Sequence, residues 1–314
     1  MKGPALLLAG IVVYGLLDAN NKLLSGQYGL GQVIAFRYLV LIGLFLAARA
    51  VWRGAFGPIG TTRPWLHLLR ALSMMVGAAG FFLAFRQLPL AEGYLVFFTA
   101  PFMTLALAAT VLRERVPPAA WAWCAVGFAG VLLAVAPKLT GGGPLLGYLS
   151  VLMGTASFAV TQTVNRMLRD EPGIARILFW PSLLGILLYG PFALRDWVAP
   201  PPLHLAMLAA SGVLAGAAVA LTAAAFRHAD AARLGTYGYA ALPVSVALDL
   251  LIWGTPPDPM TLLGGAVVVV ACLMSERARL RAAGYGKPGG KRWAPSAPSG
   301  RAATERTAES GSGP

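Results

Sequence analysis

Residues 84–101 read AFRQLPLAEGYLVFFTAP and residues 225–243 read AFRHADAARLGTYGYAALP. The two stretches align at an offset of 141, with Phe85-Arg86 against Phe226-Arg227, and after a one-residue slip Pro101 falls against Pro243. In both, a basic residue closes one apolar run, a short polar turn follows, and a proline sits inside the next apolar run. Two related halves are therefore written into one chain.

Working outward, apolar runs bounded by charges, proline or glycine give ten candidate spans. They cover residues 5–24, 30–50, 64–86, 89–112 and 117–136 in the first half, and 144–166, 173–194, 203–226, 231–253 and 259–276 in the second. Each is close to the roughly 20 residues that a helix needs to cross a bilayer. The runs are too long for strands and lack the alternation of an outer-membrane barrel. Composition agrees: 57% of residues are hydrophobic and 12% charged, with a mean hydropathy of +0.68. A soluble domain carries about 25% charged residues, so a soluble enzyme is excluded. The expected class is an all-α membrane protein with ten transmembrane helices.

Five spans per half is an odd number, so the halves are expected to be inverted relative to each other. Basic loops mark the cytoplasmic side. With the N-terminus inside, that side collects Lys2, Arg49, Arg53, Arg63, Arg113, Arg115, Arg166, Arg169, Arg176, Arg227 and Arg233, against Arg86, Lys138 and Arg195 opposite. Both termini are expected in the cytoplasm, and Arg86 and Arg227 then lie on opposite sides, as inversion requires. The expected organisation is a five-helix repeat over residues 1–140, a second over 141–277, and a disordered basic tail over 278–314. Inverted repeats are a common way to build an alternating-access carrier.

The net charge of +13 is concentrated at span ends and in the tail, where eight of the 25 basic residues lie from Arg277 onward. This is the pattern of membrane orientation, with tail residues such as Arg279, Arg281, Lys287, Lys291 and Arg292 suited to an anionic leaflet; no nucleic-acid partner is expected. The first apolar run ends in DANNK rather than a small-residue cleavage site, so it reads as a retained helix. Cys124 and Cys272 sit singly in apolar runs, which gives neither a disulfide framework nor a metal site. No metal and no cofactor is expected.

Ionisable groups inside spans are expensive and therefore informative. Asp18, Asn20, Asn21 and Lys22 cluster in the first span, with Asp18 and Lys22 one turn apart and able to pair; the cluster is either a structural pair or the lining of a pathway in which Asp18 exchanges a proton or binds a cation. Arg37 in the second span and Arg70 in the third suit a carboxylate or phosphate, with snorkelling, or for Arg37 a pairing with Asp18, as the plain alternative. His67 lies nearer the third span's start and reads as interfacial. Glu92 and Asp249 are candidate pathway or coupling groups, set against interfacial placement for Glu92 and an inter-helix hydrogen bond for Asp249. Trp180, Tyr237 and Tyr239 are candidate substrate contacts or packing groups. Pro101 and Pro243 remove backbone donors and mark kinks at corresponding positions.

The stretch from Leu69 to Pro137, with Pro101, Glu114, Gly130 and Val131, resembles the ten-helix EamA branch of the drug/metabolite transporter superfamily. Residues 237–265, YGYAALPVSVALDLLIWGTPPDPMTLLGG, are similar to that branch's second-half passage, with Thr255 where an acid usually stands. Asp18, Lys22, Gln32 and Arg37 also resemble a bacterial subgroup of S-adenosylmethionine and riboflavin importers. The resemblance implies a secondary carrier in the inner membrane for a small polar organic metabolite, without ATP, with an exporter of amino acids or related metabolites as the alternative. It implies possible proton coupling and no enzymatic chemistry; an intramembrane enzyme would need grouped catalytic residues, and His67, His204 and His228 are scattered.

Overall fold

Proline opens four of the long helices, at Pro64, Pro118, Pro202 and Pro259. There its missing N–H costs nothing and its fixed φ is already helical. The structure, a computed structural model, describes residues 2–52, 56–171, 174–228 and 234–282. In chain order the elements are α1 (Lys2–Ser25), α2 (Leu30–Val51), α3 (Pro64–Phe85), α4 (Leu90–Phe97), α5 (Ala100–Thr110), α6 (Pro118–Thr140), α7 (Leu145–Met167), α8 (Ile174–Arg195) and α9 (Pro202–His228). A 3-10 segment (Gly235–Ala240), α10 (Ala241–Trp253) and α11 (Pro259–Ala282) follow. Among the described residues, nine helical stretches are long and apolar enough to cross a membrane, counting Leu90–Thr110 as one, and Tyr237–Trp253 is a shorter apolar helix.

The helices pair as a two-fold pattern predicts. α1 packs along α9 and its counterpart α7 along α3, one pair repeating the other; α2 meets α8 and α6 meets α11, and in these two pairs an element lies against its own repeat. Glycine makes the closest of these approaches. A Cβ at Gly80 in α3 would lie 2.6 Å from Ser150 O and 2.8 Å from Gly154 N of α7, and one at Gly264 in α11 would lie 2.6 Å from Gly130 O of α6. Close backbone approach of this kind is how helices associate in lipid, where burial of apolar surface gives no drive. The outer surface is correspondingly apolar, with Leu194 79% and Leu251 83% exposed.

The fourth span is discontinuous, and the ninth changes helix type. In the fourth, α4 stops at Phe97 and α5 resumes at Ala100, with Pro101 as its second residue. Pro101 cannot donate to the carbonyl four residues back, and the chain bridges the gap with Thr99 N donating to Val96 O at 3.0 Å. In the ninth, the 3-10 turn gives way to α10 two residues before Pro243. At Pro101 the kink read from sequence is thus an interruption of the α-helical ladder, and near Pro243 it is a change from 3-10 to α geometry. The last helix continues to Ala282, so the expected start of the tail at residue 278 is helical; residues 283–314, like Arg53 and Arg233, lie outside the described residues.

A candidate solute cavity

Exposure along α1 has two separate causes. Leu8, Val12, Leu16 and Leu23 are 37–44% exposed, and at 100° per residue they form a single stripe. That stripe faces lipid. Tyr14 and Asp18 lie on the opposite side of the helix, yet Tyr14 is also 37% exposed and Asp18 is half-buried. Exposure on the protein-facing side means that the neighbouring helices leave a gap there. The packing contacts of α1 flank it: Gly10 meets Thr222 of α9, and Gly15 meets Val244 and Leu248 of α10. Asn21, a further turn along the same face, is buried with its Oδ1 unpartnered.

Two other helices complete the polar wall. The Tyr94 hydroxyl of α4 donates to Asp18 Oδ2 at 2.7 Å. Arg37 of α2 is 8% exposed and has Asp18, Tyr38 and Tyr189 as electrostatic neighbours. It forms no ion pair with any described residue, and its Nε is buried without an acceptor. Tyr38 is seated on α8 where Gly185 leaves room; a Cβ there would fall on the ring. The Tyr189 hydroxyl is committed to Met75 O at 2.9 Å. A carboxylate and a guanidinium are therefore electrostatic neighbours that form no direct ion pair among the described residues.

Beyond this pair, the side remote from the N-terminus is tied together by ion pairs around a small cavity of about 70 Å³ lined by Pro89, Glu92, Asp249, Pro256, Asp258 and Thr261. Lys22, expected to pair with Asp18 one turn away, reaches Asp249 Oδ1 at 3.4 Å instead and lies 4.3 Å from the Trp253 ring centroid. Asp249 does a second job. α4 begins after Pro89, which has no capping side chain, and Asp249 accepts from Leu90 N at 3.1 Å and Ala91 N at 2.8 Å. Helix starts present such unsatisfied donors and favour a carboxylate. Glu92 is ion-paired with Lys138 and accepts from Tyr148 OH at 2.6 Å; Lys138 also donates to Thr261 Oγ1 at 2.9 Å. Gln32 exchanges two hydrogen bonds with Val198, and Tyr28 OH meets His204 Nδ1 at 2.8 Å.

On the N-terminal side a different hub forms around Glu171, for which nothing in the sequence gave notice. Thr61 Oγ1 donates to it at 2.6 Å, Thr62 through both N–H and hydroxyl, and His67 Nε2 lies 3.2 Å away. These donors hold the Glu171 carboxyl far below its usual range, at about 2. Arg70 donates to Arg176 O at 2.8 Å and Trp180 Nε1 to Ile59 O at 3.2 Å. His67 and Arg70 are 1% and 3% exposed, with His67 on the first turn of α3 beside Glu171. A looser contact completes this side: Arg166 lies 3.5 Å from Glu114, with both side chains over 40% exposed.

The structure thus brings Asp18 and Arg37 within electrostatic reach of each other, with Asn21 buried one turn from Asp18 on α1. It places Lys22, Glu92 and Asp249 in the far-side networks and Arg70 and Trp180 in the N-terminal-side hub. Tyr239 packs edge-on to Phe98 with ring centroids 5.8 Å apart; Tyr237 is a partly buried neighbour of the main core. Sequence reasoning missed Tyr14, Tyr38, Tyr94 and Tyr189. Tyr14 was findable, since it precedes Asp18 by one turn, but the others reach the cavity only through tertiary packing. Among the described residues no group of three or more His, Cys, Asp or Glu side chains is placed to hold a metal, and both cysteines are free and buried.

Comparison with known proteins agrees with this architecture. The model of the EamA-like transporter family matches residues 1–136 and again residues 145–276. An S-adenosylmethionine uptake transporter of Rickettsia prowazekii is 25% identical over 273 residues, covering 87% of this chain and 92% of that protein. A riboflavin transporter of Rhizobium johnstonii is 28% identical over 81% of this chain and 80% of its own length. A pseudopaline exporter of Pseudomonas aeruginosa is 27% identical over 88% and 96%. A solved crystal structure superposes with a TM-score of 0.60 at 19% identity, over 89% of this chain and 97% of that one, and so shares the fold. With two matched repeats, nine membrane-length helices among the described residues and transporters as relatives over most of their length, the chain belongs to the EamA-like transporter family and is a multi-pass secondary transporter of small metabolites in the bacterial inner membrane.

Proposed function

We propose that the solute binds in the Asp18–Arg37 cavity and crosses by alternating access, as two five-helix halves, residues 1–140 and 141–277, exchange conformations about it. The observation that carries this is exposure on the inward face of α1: a half-buried carboxylate beside a buried guanidinium that forms no ion pair among the described residues, in line with a far side tied together by ion pairs. The exposed Glu114–Arg166 contact on the N-terminal side gives the state its polarity: tied together remote from the N-terminus and looser towards it. Both termini are assigned to the cytoplasm from the distribution of Lys and Arg, so this is the inward-facing arrangement. Asp18 is the group we assign to proton exchange, being the cavity's one carboxylate among the described residues.

Flux tests this reading. Purified protein in proteoliposomes is given labelled S-adenosylmethionine, riboflavin, amino acids, nucleosides and organic cations, the first two chosen because relatives are named for them. Saturable uptake of one class, raised by an imposed pH gradient, is the expected result. Saturable uptake indifferent to the gradient removes the proton, and no uptake of any solute by folded protein removes the carrier.

A further inference from the structure

We infer that the cavity selects zwitterions, taking a solute's carboxylate on Arg37 and its cationic group on Asp18; the inference rests on the cavity being the transport site. The argument begins with what Arg37 lacks. A charged side chain within the bilayer costs about 2.5 to 3.5 kcal/mol by insertion scales and is ordinarily paired. Lys138 follows that rule, engaging Glu92 and Thr261, and so does Lys22 with Asp249. Arg37 does not, although it is 8% exposed and its Nε has no acceptor.

Its nearest source of relief is Asp18, an electrostatic neighbour, yet the two form no ion pair. Each is anchored by its own helix. Tyr94 pins Asp18 by one carboxylate oxygen, Oδ2, and α2 is held against α9 where Gly212 leaves room for Val40 and the Arg37 carbonyl. Asp18 Oδ1 is left without a hydrogen-bond partner among the described residues. A planar guanidinium fork binds a carboxylate through two parallel bonds. A carboxylate such as Asp18, bordered by the phenols of Tyr14 and Tyr94, suits an ammonium or sulfonium, which aromatic faces also attract. A solute carrying both charges satisfies both residues and leaves the net charge of the cavity unchanged. A solute with only one leaves the other residue uncompensated.

The test compares each zwitterion with its own decarboxylated amine. L-methionine and L-histidine, their two decarboxylated amines, S-adenosylmethionine as a solute with one further cationic group, and riboflavin as a neutral control are titrated against the purified protein by thermal shift, and their flux is followed in proteoliposomes. At least one zwitterion is expected to bind about 10- to 100-fold more tightly than its amine, the range for a hydrogen-bonded charge. Arg37→Gln should abolish that ratio by weakening the zwitterion alone, and Arg37→Lys should retain part of it. If Arg37→Gln does not fold, the wild-type ratio and Arg37→Lys decide. An amine that binds as tightly as its zwitterion, or flux of riboflavin with no zwitterion bound, overturns the selectivity and leaves the carrier standing. No flux of any solute overturns the carrier reading, and this inference with it.

Discussion

Asp249→Ala is expected to lower stability by about 3 to 5 kcal/mol, the range for breaking a buried charged pair by removing one partner. The Asp249 side chain is 3% exposed and its loss uncovers three groups together: the N–H groups of Leu90 and Ala91 at the start of α4, and the Lys22 ammonium. Pro89 offers no replacement cap. At about 2 to 4 °C per kcal/mol for a chain of this order of size, the melting midpoint in detergent should fall by about 10 °C. Asp249→Asn, which keeps an acceptor for the helix start, should cost less. Adding Lys22→Met to Asp249→Asn should recover part of the loss, because it removes the unpaired cation. A melting midpoint for Asp249→Ala within about 2 °C of the wild type would show that neither the cap nor the ion pair stabilises the fold.

Asp18→Asn is expected to have the largest effect on activity. A gradient of about two pH units stores about 2.7 kcal/mol per proton, enough for an accumulation ratio of about 100 at one proton per solute. With no carboxylate to titrate, the ratio should fall to about 1. The fold should survive, because an asparagine carbonyl still accepts from Tyr94 OH at the position of Oδ2. Exchange of solute between the two faces should persist at reduced affinity, separating lost coupling from lost transport. Measuring accumulation, exchange and melting midpoint on one preparation separates these outcomes. Wild-type accumulation by a folded Asp18→Asn protein would remove Asp18 from coupling.

The contrast between Asp18 and Asp249 shows where sequence reading succeeds and where it stops. Apolar periodicity and length located the spans, and the matching of Pro101 with Pro243 located the break in the fourth span and the change of helix type in the ninth, because each follows from local backbone chemistry. Depth within a span singled out both aspartates, but depth does not say what a carboxylate meets. Asp249 meets a helix start 158 residues earlier in the chain, and Asp18 meets Tyr94, 76 residues later. For Lys22 the local rule of pairing one turn apart named Asp18, while packing of α1 against α10 brings Asp249 instead. Glu171 gave no signal at all: in the run RDEP it reads as one more loop charge, and only the folding of residues 61–67 over it supplies its four donors.

Accessibility of one introduced thiol tests alternating access most directly. Tyr14→Cys places a thiol on the cavity face of α1, and the native cysteines, Cys124 and Cys272, are buried, so background labelling should be low. In sealed vesicles of each orientation, treated with a charged, membrane-impermeant thiol reagent, the Tyr14→Cys protein should be modified from both sides. Modification should be faster from the N-terminal side, towards which this state is looser. Labelling from one side only, in protein that transports no solute, would contradict a cavity that opens alternately to the two faces of the membrane.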